Sequence, residues 1–255
     1  MNARISLLLL GLASLPLAAQ TTPAPAGSAL SAGLDALQTN QPTQALADFQ
    51  QVLLESPNNA TANLLAATAA IELCQGAQAV QYAEKARQLD PGSWKIHTTL
   101  VAAYTEAGMK EQRDRERTLL RQLHARGEAD ARKATGFLLE VFPANPGSDD
   151  RVDAVEEFEP MGKFHTWYRF IVRQGDGRRI EEIDIQSNDF DQKSWAAAHP
   201  PEAAAGERQF QIVGHTESAG RGETDYRMFS GKADYDAIRA MVVRILAERP
   251  PAELK

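Results

Sequence analysis

Apolar residues recur at two different spacings along this chain, and the change falls near Ala134. Before it, apolar segments such as FQQVLLESP and AEKARQLDP have a helical pattern; after it the apolar positions alternate with period two. In 164–172 one face is Phe164, Thr166, Tyr168, Phe170 and Val172, and the other is His165, Trp167, Arg169 and Ile171. This strand runs into Gly175-Asp176-Gly177, where Asp-Gly predicts a two-residue hairpin turn, and 178–186 is the return strand. Four more strands are predicted at 136–142, 153–159, 208–215 and 224–229, with connections mostly too short for parallel crossovers. Lys193 to Glu207, rich in Ala, Pro and Glu, predicts a short helix and loop, and Asn188 to Asp191 an exposed turn. An amphipathic helix closes the chain: Asp234 caps it, Ile238, Met241, Val242, Ile245 and Leu246 form its apolar stripe, and Pro250-Pro251 stops it. The expected fold is α+β, with helices first and then an antiparallel sheet of about six strands carrying this helix on one face. The other face is left partly open, with Trp167 and Arg169 on it, and an open face or edge can take up a protein segment by strand addition.

The helical half repeats. Pro57 and Pro91 lie 34 residues apart, and counting back from each gives frames that begin at Ala26 and Ala60, with a third at Trp94. In the first frame Gly33 is small, Ala45 opens the second helix, Phe49 is an aromatic plug and Pro57 ends the unit. Ala67, Ala79, Ala83, Ala86 and Pro91 fall on the matching positions of the second, and the third begins in pattern with Leu100, Tyr104 and Gly108. The segment resembles the tetratricopeptide repeat (TPR) family, whose unit is a 34-residue pair of antiparallel helices, and three pairs are expected over about residues 28–126. The third frame departs from the pattern, with Arg113 in place of the small residue and Arg117 in place of the aromatic. Charge at packing positions marks this helix as an exposed end of the stack or as a docking surface for the next domain.

The resemblance implies a protein-interaction scaffold in which the first helix of each pair lines a concave groove. In these frames the partner-binding candidates are Leu34, Leu37 and Gln38, then Thr61, Leu64, Thr68 and Glu72, then Lys95, Thr98, Thr105 and Glu106. The Lys/Asn set with which some family members clamp a C-terminal carboxylate is missing, since Leu30 and Leu34 take those places in the first frame. A receptor for chaperone tails is therefore disfavoured.

The first 19 residues have the three parts of a secretory signal: Arg4, the apolar run from Ile5 to Leu12, and Pro16 before Ala18 and Ala19. Cleavage is expected after Ala19, with 20–28 an extended Thr/Pro/Ala tail, 29–133 the repeat domain and 134–255 the sheet domain. No Cys follows the apolar run, which excludes a lipoprotein anchor, and no later segment is long enough to span a bilayer. The expected location is periplasmic or secreted.

Of 255 residues, 27 are Lys or Arg and 34 are Asp or Glu, giving a net charge of −7 that argues against nonspecific nucleic-acid binding. Residues 1–133 are balanced at 12 of each sign, so the whole excess lies in the second half. The run from Lys110 to Lys133 holds 8 basic and 5 acidic residues and suits a seam to that acidic half. The single cysteine, Cys74, cannot form an internal disulfide, and with Leu73 and Gln75 beside it lacks the neighbouring cation of a reactive thiol. No Cys/His cluster offers a zinc site, Asn188, Asp189 and Asp191 lack the Gly and Glu of a calcium loop, and no phosphate-binding loop occurs, so no metal or cofactor is expected. His165 and His215 have carboxylates such as Asp184, Asp189 and Asp225 in reach of the same domain, but no nucleophile elbow accompanies them. The first reading is thus a non-enzymatic adaptor that binds protein partners of the cell envelope. The alternative is an exported hydrolase whose repeats recruit substrate to a His/carboxylate site, and a third is a homo-oligomer formed through the open sheet face.

Overall fold

The computed structural model describes residues 26–128, 134–158, 165–187, 189–218, 221–232 and 234–248; the segment expected to be an export signal lies outside them. Six helices come first: α1 (Ala26–Gln38), α2 (Pro42–Glu55), α3 (Ala60–Glu72), α4 (Gly76–Leu89), α5 (Trp94–Glu106) and α6 (Lys110–Ala125). The first helices of the three pairs start at Ala26, Ala60 and Trp94, the frame starts that the sequence spacing predicts. Each pair turns on one left-handed residue at the same frame position: Asn40 (φ 55°), Cys74 (φ 55°) and Gly108 (φ 69°). Around each of them the same two backbone bonds close the helix, such as Cys74 N–H to Ile71 C=O at 2.8 Å and Gln75 N–H to Ala70 C=O at 2.9 Å.

Small residues let the helices approach closely. A Cβ at Gly33 would lie 2.5 Å from the ring of Phe49, and one at Gly76 would lie 2.4 Å from the Glu106 backbone. Ala79, Ala83 and Ala86 of α4 are fully buried in the same stack.

The second half is a six-stranded antiparallel meander in sequence order: β1 (Gly136–Pro143), β2 (Arg151–Glu157), β3 (His165–Arg173), β4 (Arg179–Ser187), β5 (Glu207–Ser218) and β6 (Arg221–Lys232). Between β4 and β5 lie α7 (Asp189–Ala198) and α8 (Pro200–Ala204), and α9 (Tyr235–Glu248) is the last element among the described residues. Phe170, Ile183, Ile185, Phe210 and Ile212 form the buried sheet face, and α9 lays Tyr235, Ile238, Val242, Ile245 and Leu246 on it. Asp234 caps α9 through its Oδ1, which accepts the Ala237 N–H at 2.9 Å.

Three local expectations need correction. The β3–β4 turn is not the two-residue type: Gly177 N–H bonds Gln174 C=O at 2.8 Å, and only Gly177 (φ 85°) is left-handed, whereas the tighter turn needs two such residues. Asp189 and Asp191 belong to α7 rather than to an exposed turn, because Trp195 is buried and anchors that helix; Asn188 lies outside the described residues. Trp167 packs on the main core instead of the open face, edge-on to Phe210 at 5.4 Å with Arg208 over its ring. A break in register between Thr166 and Tyr168 removes the regular alternation there.

The third helix pair docks on the sheet, and that explains its departure from the repeat pattern. Arg117 and Arg121 both pair with Glu156 of β2, which is 2% exposed, and Arg113 and Lys110 pair with Asp236 of α9 at 3.3 and 2.6 Å. Phe158 adds an apolar contact, stacked on His124 of α6 with ring centroids 4.4 Å apart and tilted against Trp94 of α5 at 5.6 Å. The basic run from Lys110 thus forms the seam to the acidic half.

The Gly33–Phe49 contact can be probed by mutation. Gly33→Ala should destabilise the chain by about 1–3 kcal/mol in denaturant unfolding, because the buried Phe49 ring has nowhere to move. Gly27→Ala in the same helix, with nothing within 4 Å of the added Cβ, should cost nothing.

Candidate partner-binding groove

The sheet domain lies against the concave face of the repeats. β1 runs beside α5, and Leu138 and Val141 pack with Ile71, Ile96 and Leu100 of the helices. The outer edge of β1 is met by side chains: the Val141 N–H donates to Glu106 Oε1 at 2.9 Å, and Cys74 Sγ donates to the Val141 carbonyl at 3.3 Å. At the other end of the groove the β3–β4 turn reaches the first repeat, where Asn40 Nδ2 donates to the Gly175 carbonyl at 2.6 Å. Arg173 of β3 joins both sides, donating to Glu72 at 2.9 Å, to Asp153 at 2.7 Å and to Asn40 at 3.4 Å.

Between these contacts the groove stays open in two cavities. One of about 350 Å³ lies between α3, α5 and the start of β1, lined by Thr68, Glu72, Trp94, Thr98, Phe137 and Leu138 among others. The second, about 200 Å³, lies between α1, α3 and β3 and is lined by Leu37, Asn40, Pro42, Thr68, Glu72 and Arg173. Thr68 and Glu72 border both, so the two adjoin along one cleft line, with helices on one side and sheet on the other. Arg173 Nε is buried there without a hydrogen-bond partner among the described residues.

Of the sequence candidates, Leu37, Thr68, Glu72 and Thr98 line this cleft. Leu64 packs partly into the repeat core, and Leu34, Gln38, Thr61 and Lys95 are exposed. Thr105 and Glu106 line a separate cavity at the far end of α5. The hydroxyls of Thr68, Thr98 and Thr105 each bond a carbonyl of their own helix, at 3.1, 2.8 and 2.7 Å. Asn40, Arg173, Trp94, Phe137 and Leu138 were not among the sequence candidates. The repeat frame alone points only to first-helix faces, and nothing local in 136–173 marks a groove wall.

A family model described as tetratricopeptide repeat matches residues 36–83, from the first pair into the second. The segment is a tetratricopeptide repeat. No family match covers the sheet domain, and no curated protein matches the chain. The TPR match supports a role in protein–protein interaction.

The alternative site around the histidines gains no geometry from the structure. His215 sits on β5 opposite Glu182 of β4, and among the described residues it makes no hydrogen bond to a carboxylate. The side chains of His165, Asp189 and Asp225 lie outside the described residues. No described group of three His, Cys, Asp or Glu side chains is placed to hold a metal ion, and no described helix is long and apolar enough to cross a membrane.

A different His–carboxylate pair lies inside the helical stack, between α5 and α6. His97 Nδ1 is 2.8 Å from Glu116 Oε2, and its Nε2 is 3.2 Å from the Pro91 carbonyl. Two acceptors favour the doubly protonated ring, so the Glu116 hydrogen bond holds the His97 pKa above its ordinary value, against the effect of burial. Glu106 is also shifted: burial raises its pKa to about 7, helped by Glu140 and Glu72 and opposed by the Val141 N–H and Arg239. The Cys74 thiol is raised by burial and by the Glu106 carboxylate, which makes it a poor nucleophile near neutrality.

These shifts set a pH dependence. Between the ordinary Glu value of 4.5 and about 7 the folded chain holds the Glu106 proton more tightly than the unfolded chain does, so stability should fall as pH rises through that window. The raised His97 acts in the same direction, with its contribution present below 6.5 and lost as pH rises through its folded value. Urea unfolding as a function of pH should show this decline, and Glu106→Gln should remove the part that belongs to Glu106.

Proposed function

We propose that this protein is an exported, non-enzymatic adaptor whose TPR groove, narrowed to a cleft by its own sheet domain, holds a segment of a partner protein in the cell envelope. The observation that carries this reading is the cleft shared by α1, α3, α5, β1 and β3, which is lined by side chains from both the repeats and the sheet. An extended peptide supplies main-chain carbonyls at regular intervals, which suits a cleft whose lining includes the polar side chains of Asn40, Thr68 and Arg173. Apolar walls at Leu37, Phe137 and Leu138 suit small or apolar side chains alternating with the carbonyls. Glu72 and Asp153 already neutralise Arg173, so the cleft favours backbone over a terminal carboxylate. That agrees with the missing Lys/Asn clamp. Export rests on the sequence pattern of the first 19 residues.

Cross-linking pull-downs from an envelope extract should recover partners with the wild-type chain and lose them with Thr68→Arg, which puts a long charged side chain where the two cavities adjoin, while the variant keeps its melting temperature. Retention of the same partners by the variant would place their binding elsewhere. N-terminal sequencing of protein from the periplasmic fraction should begin at Gln20; a chain still beginning at Met1 would contradict the cleavage reading.

A further inference from the structure

The third cavity, about 380 Å³, lies where the ends of α5 and α6 meet β1 and α9, away from the cleft at Thr68. Its volume falls in the range of small-molecule sites. Cys74, Glu106, Arg113, Glu140, Tyr235 and Arg239 are among its walls. Most of the charge there is internally matched: Glu140 receives bonds from Tyr235 and Arg239, and Arg113 and Lys110 hold Asp236.

Two groups keep capacity to spare. Glu106 accepts only the Val141 N–H, through Oε1, and among the described residues it has no cationic partner in contact. Arg239 gives its Nε to Glu140 and lies over the Phe142 ring with its guanidinium carbon 4.4 Å from the centroid; no described hydrogen bond uses its two terminal nitrogens. Once ionised, the partly buried Glu106 carboxylate has no counter-ion and favours a cation, and a guanidinium fork is shaped for a carboxylate. We infer that this cavity binds a small zwitterion, an α-amino acid or short peptide, with its ammonium on Glu106 and its carboxylate on the terminal nitrogens of Arg239. The acidic and basic residues in its walls are equal in number, three of each, which suits a net-neutral ligand better than a simple cation or anion.

Binding an ammonium requires Glu106 to be ionised, so the ligand should displace its proton. The groups that act on that proton are Glu72 of α3, Cys74 of the α3–α4 turn, Glu140 of β1 and Arg239 of α9. With Glu106 at about 7, binding near pH 6 should release nearly one proton and binding near pH 8.5 almost none.

The experiment is calorimetric titration of the full chain with each of the standard L-amino acids and with alanyl-alanine, in two buffers of different ionisation enthalpy at both pH values. Acetate and ethylammonium serve as half-ligands. The expected result is binding of at least one zwitterion, proton release at the lower pH only, no comparable binding of either half-ligand, and affinity weakened at least tenfold in Glu106→Gln and in Arg239→Gln. Absence of binding by every probe, binding without proton release near pH 6, or equal binding of a half-ligand would overturn the assignment. Should either variant fail to fold, the proton release of the wild-type chain decides alone. Thr68→Arg should bind the zwitterion normally, which separates failure here from failure of the groove reading.

Discussion

An edge strand exposes a row of backbone donors and acceptors, and a helical repeat exposes a concave face; in this chain each covers the other. Val141 is the point of contact, with its N–H on Glu106 and its carbonyl on the Cys74 thiol. A bare edge invites pairing with another chain, and at Val141 a side chain from the end of α5 and one from the α3–α4 turn take up its backbone groups instead. The placement of β1 follows from that contact, and the rest of the sheet follows from β1, because every later strand is added in sequence order.

The same contact sets the electrostatics of the junction. Bringing β1 down on α5 buries Glu106 beside Glu140 and Glu72, which is why its carboxyl holds a proton up to about pH 7. The arginines on α6 meet the opposite need. Glu156 is buried on the sheet face, and Arg117 and Arg121 come from the repeat side to neutralise it. One half of the chain is charge-balanced and the other strongly acidic, yet the basic residues that count are those at the seam.

Much of this architecture was legible in the sequence. The 34-residue spacing of Pro57 and Pro91, with Gly33 and Phe49 at packing positions, located all three helix pairs. Alternation located six strands, and Arg113 and Arg117 marked α6 as exceptional before its partners were known. What was not legible depends on distant partners. Asn40 and Arg173 are 133 residues apart, and no local pattern announces that they meet in one cleft wall. Trp167 lies on the core side, against plain alternation, because a single irregularity in β3 breaks the period of two. Four of the groove candidates line the cleft, but the sheet residues opposite them carry no repeat to betray their role.

The left-handed turn residues carry a wider consequence. Asn40 holds the β3–β4 turn and Cys74 holds β1, so two of the three equivalent positions are tied to different parts of one sheet, while Gly108 borders the cavity under α9. An open solenoid can gain or lose a unit and merely change its length. Here a repeat inserted or deleted between them would shift those two attachment points out of step with a sheet of fixed width. The number of repeats is thereby locked, and the array behaves as a frame of set size rather than as an extensible one.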